Sequence, residues 1–200
     1  MKQVERAEVM GMADYETIRD RFRARVIQEK KGRRVFLGDR ASCVFENHDT
    51  VLLQIQEMLR TERITREASI QHEIDTYNEL IPKEHELSAT ILIEIEDKAT
   101  RDAFLSAAVG LEKTFSLVVD GHACPGKVDP SREDATRTTA VHYVKFDLAA
   151  EAERRLRDVL AKKVSASDVV MELASSHPEY RVAARLPAAL VASLAEDLAP

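Results

Sequence analysis

This 200-residue sequence has no tryptophan and holds only two cysteines, six glycines and six prolines. Two cysteines, Cys43 and Cys124, cannot build the disulfide framework typical of small secreted domains, so they indicate a reducing compartment. The few glycines and prolines exclude collagen-like and low-complexity chains. No apolar run approaches the roughly 18 residues that span a bilayer, and the N-terminus has no apolar signal region. The sequence therefore predicts a cytoplasmic protein without membrane association.

Several motifs that carry common chemistries are also absent. The sequence lacks a Gly-x-x-x-x-Gly-Lys-Ser/Thr loop for nucleoside triphosphates and a Gly-x-Gly-x-x-Gly turn for dinucleotides. It lacks a Gly-x-Ser-x-Gly serine elbow and any Cys-x-x-Cys pair for zinc, iron–sulfur or dithiol chemistry. No histidine follows a glutamate at the spacing of a ferritin-like di-iron site. We therefore expect no bound cofactor.

The charge of the chain is unevenly distributed. Its net charge is −6, but residues 19–40 contain nine basic and three acidic residues, a net charge of +6, so the remainder carries −12. Such a stretch could contact an anion or an acidic partner, although a solvated helix face is the common alternative. A sequence pI of 5.6 and the lack of interleaved aromatic residues argue against nucleic-acid binding.

Hydrophobic periodicity predicts an α+β protein. Helices are expected over about 14–31, 49–61, 66–80, 100–111, 149–163 and 187–198, and strands over 33–37, 41–46, 88–96, 115–119, 140–148, 169–173 and 181–186. The strand–helix–strand spacing between 88 and 119 is that of a parallel crossover, and residues 120–138 are predicted to form a long loop. We expect one domain over 1–200, a mixed sheet of about five to seven strands with helices packed on its faces. An alternative boundary lies near 82–88.

One polar ridge on the helix at 49–61 is a candidate site. Gln54, Glu57 and Arg60 are spaced i, i+3, i+6 and therefore share a face. A loop arginine, Arg132 or Arg137, could pair with Glu57. A buried Glu57 with a raised pKa beside His142 would form an acid–base pair. The alternative is a structural ion-pair network. The predicted ligand-binding residues are Gln54, Glu57, Arg60, Arg137 and His142.

A metal site is a second option. His122 and Cys124 would point the same way on an extended strand, and His142 or His177 could approach them. Two neighbouring ligands fall short of the three or four that a site needs, and a hydrogen-bonded core histidine is the commoner role for His142. We therefore expect no metal site, with His122, Cys124, His142 and His177 as the candidates.

Six strings along the chain carry a resemblance to a known family. They are Arg23–Ile27, Phe45–Asn47 with Asp49–Val51, Gln54–Arg60, Tyr77–Pro82, Ala140–Tyr143 and His177–Tyr180. Together they resemble an uncharacterised bacterial family known only as a domain of unknown function, whose pattern does not include His122-x-Cys124. Members of that family tend to be encoded beside rubrerythrin-like di-iron proteins and iron–sulfur oxidoreductases. The resemblance therefore implies a supporting role in redox or peroxide metabolism, but no mechanism.

Two functions follow from these observations. The first is an accessory protein that docks to a redox enzyme through the basic stretch or the C-terminal helix. The small residues of that helix, Ala188, Ala189, Ala192 and Ala195, could equally form a homodimer. The second is an enzyme or small-ligand-binding protein with a Glu/Arg/His site between the 49–61 helix and the sheet.

Overall fold

An eight-stranded antiparallel sheet forms the centre of the protein. The computed structural model describes residues 1–129 and 136–199. The order of strands across the sheet is β1-β2-β3-β6-β5-β4-β7-β8, and every neighbouring pair is antiparallel. The strands are β1 (Arg34–Leu37), β2 (Ala41–Phe45), β3 (Glu86–Ile93), β4 (Phe115–Val119), β5 (His122–Lys127), β6 (Val141–Asp147), β7 (Met171–His177) and β8 (Tyr180–Arg185).

The prediction of a mixed sheet with five to seven strands is wrong in two respects. The eighth strand, β5, lies in the segment expected to be a loop, because its sequence His-Ala-Cys-Pro-Gly-Lys has no β-branched residue and contains both turn-forming types. The predicted parallel crossover is absent, because β6 and β5 separate β3 from β4 in the sheet. The seven strands that periodicity predicted are present; β4 has the predicted bounds and the other six have shifted ends.

The sheet curls into a nearly closed barrel. β1 and β8, its two edge strands, are brought together where the Tyr180 hydroxyl donates to the Leu37 carbonyl. Gly38 adopts a φ of 63° at this seam, and an added Cβ would lie 3.2 Å from the Tyr180 hydroxyl. Only glycine combines this backbone conformation with so close an approach at little cost.

Within the described residues, six α-helices accompany the sheet: α1 (Met12–Gly32), α2 (His48–Thr61), α3 (Glu67–Asn78), α4 (Lys98–Ala107), α5 (Ala150–Leu160) and α6 (Ala188–Glu196). Asn47 caps α2 by accepting from the Thr50 N–H at 3.0 Å. α1 begins directly after Gly11, slightly before the predicted start near residue 14. In the described part of the chain, none of the helices is both long and apolar enough to span a membrane.

Two hydrophobic clusters divide the interior. The first fills the barrel with inward-facing strand residues and with apolar residues of α4, α5 and α6. The second lies outside the barrel, where α2 and α3 pack with the N-terminal residues Val4 and Val9 against Tyr143 on the outer face of β6. Burial of these two apolar surfaces is the main favourable contribution to folding. Each candidate site residue therefore lies in the barrel interior, in the outer helical layer or on the surface.

A buried ion pair connects the start of β1 to the end of α6. Arg33, just before β1, contacts Asp197 at the end of α6 at 2.5 Å, with side-chain exposures of 4% and 7%. The Arg33 guanidinium also donates to the backbone carbonyls of Phe45 and Glu46. Burial raises the pKa of Asp197 even though Arg33 opposes that shift. A charge enclosed in this way stays tolerable only while its partner is present.

Candidate functional site

The polar ridge of α2 is tied to α1. The Glu57 carboxylate accepts two hydrogen bonds from Arg19, at 2.8 and 2.7 Å, and one from the Tyr15 hydroxyl at 2.7 Å. Arg60 donates through Nε to Glu16 at 2.5 Å. Within the described residues, Arg137, one of the two loop arginines suggested for Glu57, is not among these partners. The partners come from α1, because α1 and α2 pack side by side.

These contacts shift the pKa values of Glu57 and Tyr15. The bidentate Arg19 guanidinium, followed by the Tyr15 hydroxyl, lowers the pKa of Glu57 although partial burial opposes the shift. Burial and the Glu57 carboxylate raise the pKa of Tyr15 above its ordinary value. Glu57 is therefore held ionised, whereas a general acid active near neutral pH needs a raised pKa. The arrangement fits the structural ion-pair alternative for this side chain.

His142 lies inside the barrel, away from this ridge. It is 5% exposed, it packs with its ring centroid 6.0 Å from that of Phe115, and its neighbours on β6, Val144 and Phe146, belong to the barrel cluster. Its Nε2 has no hydrogen-bond partner among the described residues. Burial lowers the pKa of His142, against opposing effects of Glu112 and the Thr139 backbone. His142 is therefore a neutral core histidine, and Glu57 belongs to a separate layer.

The loop arginines do not join either group. Arg137 donates to Asp102 on α4 at 2.9 Å, in an exposed ion pair. Arg132 lies outside the described residues. Gln54 is half-buried on α2, on the same helix as Glu57 and Arg60. The structure thus keeps Gln54, Glu57 and Arg60 together and separates them from Arg137 and His142.

The candidate metal ligands are also dispersed. His122 is exposed, whereas Cys124 is buried and its Sγ accepts from the Ala149 N–H at 3.3 Å. Burial raises the pKa of the Cys124 thiol, which keeps it protonated. His177 approaches the Val109 carbonyl at 3.0 Å and accepts from the Glu179 N–H at 3.2 Å. Over residues 1–129 and 136–199, no group of three or more His, Cys, Asp or Glu side chains could hold a metal ion.

Sequence reasoning missed two amides that fasten the N-terminal segment, residues 1–11. Asn78 at the end of α3 binds both the N–H and the carbonyl of Val4, each at 2.9 Å. Gln56 on α2 binds the N–H of Met10 at 2.6 Å and its carbonyl at 3.3 Å. Both amides are buried. The available signal was their position on or beside the apolar stripes of their helices, where a polar side chain must find partners.

Glu46 is a second omission. Its carboxylate is 2% exposed and accepts from the hydroxyls of Thr50 at 2.5 Å and Thr90 at 2.6 Å. It directly precedes the N-cap of α2, where the helix macrodipole favours negative charge. Glu46 therefore links the start of α2 to β3 and carries a structural role.

An uncovered apolar row lies on the outer face of the sheet. Phe36, Ser42, Leu92 and Val141 are directly opposite one another on β1, β2, β3 and β6. Phe36 is 64% exposed and Val141 is 40% exposed, which makes them two of the four exposed large hydrophobic residues in the described chain. Leu92 is half-buried between them. We call Phe36, Leu92 and Val141 the outer row.

Part of the basic stretch adjoins the outer row. Arg19, Arg25, Arg33 and Arg34 are each paired with a carboxylate. Arg21, Arg23, Lys30 and Lys31 have no ion-pair partner within the described residues, and of these Lys30 and Lys31 end α1 shortly before β1. Arg40, in the turn after β1, lies over the Phe104 ring with its guanidinium 5.6 Å from the ring centroid.

In α6, the predicted small-residue surface is reduced because Ala195 is buried, while Ala188 and Ala189 are exposed.

Comparisons with known proteins give a family but no activity. A family model described as a protein of unknown function, DUF3501, matches residues 3–198. A crystal structure described as a novel protein of unknown function, from Burkholderia pseudomallei K96243, is similar to this chain with a TM-score of 0.88 and 33% identity. The alignment covers 99% of this chain and 100% of that one. None of the curated proteins matches.

Proposed function

Because the chain belongs to the DUF3501 family, whose description gives no reaction, we propose from the structure that it is an accessory protein that docks to an acidic surface of a redox enzyme. The observation that carries this proposal is the outer row. It places apolar side chains on β1, β3 and β6, with Ser42 between them on β2, and the outer helical layer leaves Phe36 and Val141 uncovered. Exposed aromatic residues within such strips are typical anchors of protein–protein interfaces.

The charge around the outer row indicates the chemistry of the partner. Lys30, Lys31 and Arg40 flank β1 along the chain, and Arg34 lies on the same outer face as Phe36. Arg34 is paired with Glu94 at 2.9 Å and Arg40 with Asp39 at 3.9 Å, so the charge without an ion-pair partner among the described residues comes from Lys30 and Lys31. Positive charge beside an apolar anchor favours a partner with acidic residues around an apolar contact, and it accelerates their encounter.

The same charge argues against a second copy as the occupant of this surface. A two-fold homodimer built on the outer row would place the same surface of each copy against the other. Lys30 and Lys31 of each copy would then lie in one interface whose two halves carry the same positive charge, and like charges across an interface are unfavourable. The occupant that we propose is therefore a different protein.

The redox class of the partner rests on the gene neighbourhood that the family resemblance implies. Rubrerythrin-like di-iron proteins and iron–sulfur oxidoreductases are the candidates. Among the described residues, the ridge of α2 is neutralised and no metal-binding group is assembled. Docking to an enzyme that holds the cofactor is consistent with both observations.

The test is affinity purification under mild conditions from cells of the native host, with candidate partners identified and then purified separately. We expect the reconstituted complex to weaken by about tenfold or more for Phe36→Ser, a loss typical of an interface anchor. Lys31→Glu should weaken the complex more at low salt than at high salt, because ions screen surface charges.

Val170→Ser is the matched control. Val170 is as exposed as Val141, at 40%, but it lies beside β7 and not on the outer row. Loss of binding in this variant to the same degree as in Phe36→Ser would refute the assignment of the surface. So would a complex in which both Phe36→Ser and Lys31→Glu bind as tightly as the native protein.

A further inference from the structure

A cavity lies where the N-terminal segment meets α1, α2 and α3. Its volume is about 200 Å³. The floor is formed by side chains that are at least nine-tenths buried, Tyr15, Gln56, Leu59 and Ile70. The walls add Arg6, Met10, Gly11, Met12, Arg60, Ile64, Thr65 and Glu67. This cavity was not predicted from the sequence, although Arg60 of the predicted ridge is on its wall.

The polar groups of the floor are already engaged, which leaves the floor apolar to a ligand. The Tyr15 hydroxyl donates to Glu57, and the Gln56 amide is bound to Met10. Leu59 and Ile70 present only hydrocarbon. A closed apolar space of about 150 Å³ is large enough for a benzene-sized ring, so this cavity accommodates a ring or branched chain of similar size with one small substituent.

Of the charged side chains in the wall, Arg6, Glu67 and Arg60, only Arg60 has terminal donors free for a negative substituent. Arg6 uses Nε and Nη2 on Glu67 and Nη1 on the Val9 carbonyl, so each of its three nitrogens already has a partner. Arg60 uses only Nε, on Glu16, so within the described chain its two terminal nitrogens have no hydrogen-bond partner. A guanidinium with two free parallel donors matches the geometry of a carboxylate. Gly11 and Met12, at the positive N-terminal end of α1, act in the same direction.

We propose that this cavity binds a small organic acid, an aromatic ring or branched alkyl chain that carries one carboxylate, with the carboxylate on the terminal nitrogens of Arg60. This site is distinct from the outer row and does not depend on the docking function. It gives the α2 ridge a ligand-binding role through Arg60, while Glu57 and Arg19 hold Tyr15 in the floor.

The test uses 4-fluorobenzoate and its neutral analogue 4-fluorobenzyl alcohol, followed by fluorine NMR with the full chain. We expect the acid to bind the native protein and to bind more tightly than the alcohol. Arg60→Gln should reduce affinity for the acid by about tenfold, the usual contribution of a charge-assisted hydrogen bond. The same variant should leave affinity for the alcohol unchanged.

Two further variants complete the experiment. Ile64→Phe, which fills the cavity, should abolish binding of both probes. Arg21→Gln, which alters an exposed arginine of α1 outside the cavity, should bind both probes like the native protein. The proposal is overturned if the acid shows no binding at millimolar concentration. It is also overturned if Arg60→Gln or Ile64→Phe binds the acid as well as Arg21→Gln does. None of these results bears on docking at the outer row.

Discussion

At the scale of single residues, the polar ridge of α2 is defined by its contacts with α1. The i, i+3, i+6 spacing placed Gln54, Glu57 and Arg60 on one ridge, as observed. Among the described residues, the arginine that pairs with Glu57 is Arg19, and Arg137 pairs with Asp102 instead. Helical periodicity reports which residues share a face, but it does not report which neighbouring helix covers that face. The choice between α1 and the loop is decided by tertiary packing.

His142 illustrates the same limit. Its alternation with Val144 and Phe146 indicated the apolar face of a strand, and it is buried there. The burial of His142 on an apolar strand face therefore follows from the sequence. Its separation from Glu57 does not follow, because the pattern cannot distinguish the inside of a barrel from the face covered by α2 and α3.

The burial of His142 predicts an acid-sensitive stability. Its pKa in the folded state lies below the ordinary 6.5, so the unfolded chain binds a proton first as the pH falls. This contribution to stability is fully present above pH 6.5 and is lost as the pH falls through the folded pKa. We expect His142→Asn to flatten the fall in unfolding free energy below pH 6.5, measured by urea denaturation. The exposed His72 provides the control His72→Asn, and an identical pH slope in the native and His142→Asn proteins would contradict the assignment.

At the scale of elements, the helices were predictable and the connections were not. Each of the six helices has an amphipathic pattern or a capping signal, and each is present within a few residues of its predicted position. The N-terminal segment has no regular structure beyond a short 3-10 turn at Arg6–Glu8. It is held by the side-chain amides of Asn78 and Gln56. Such clamps use contacts remote in sequence, which local patterns do not report.

The Asn78 clamp yields a prediction at this scale. Asn78→Ala removes both partners of Val4, and leaving buried backbone groups unsatisfied costs about 1–3 kcal/mol. We expect faster amide hydrogen exchange over residues 1–11 and a similar loss of unfolding free energy. Gln71→Ala, at an exposed position of the same helix where Gln71 donates only to Asp75, should change neither quantity appreciably. Unchanged exchange of the Val4 amide in Asn78→Ala would show that the clamp does not hold the segment.

At the scale of the whole molecule, the α+β class was predictable and the barrel was not. The predicted number of strands was too low because β5 contains Pro125 and Gly126, which do not favour a strand. The predicted parallel pairing of β3 with β4 was wrong because two other strands lie between them in the sheet. Strand order depends on which edges pair, and alternation of apolar residues does not specify this. The uncovered outer row is likewise visible only once the register of four strands is known.

The buried pair between Arg33 and Asp197 gives a prediction for global stability, since it joins the first strand to the last helix. Asp197→Asn leaves the Arg33 charge enclosed without a counter-charge. Breaking such a pair costs about 3–5 kcal/mol. Urea denaturation followed by circular dichroism should show this loss, whereas Asp168→Asn, at an exposed carboxyl, should stay within about 0.5 kcal/mol of the native protein. Equal stability of the two variants would mean that the pair does not hold β1 and α6 together.

The most direct test of the docking function is site-specific photo-crosslinking in the native host. A photoreactive phenylalanine analogue is placed at Phe36 on the outer row and, as the control, at Val170 beside β7. The account predicts that position 36 crosslinks to one partner protein with an acidic contact surface, and that position 170 does not. A crosslink from position 36 to a second copy of this chain, or no crosslink that position 170 does not also give, would contradict it.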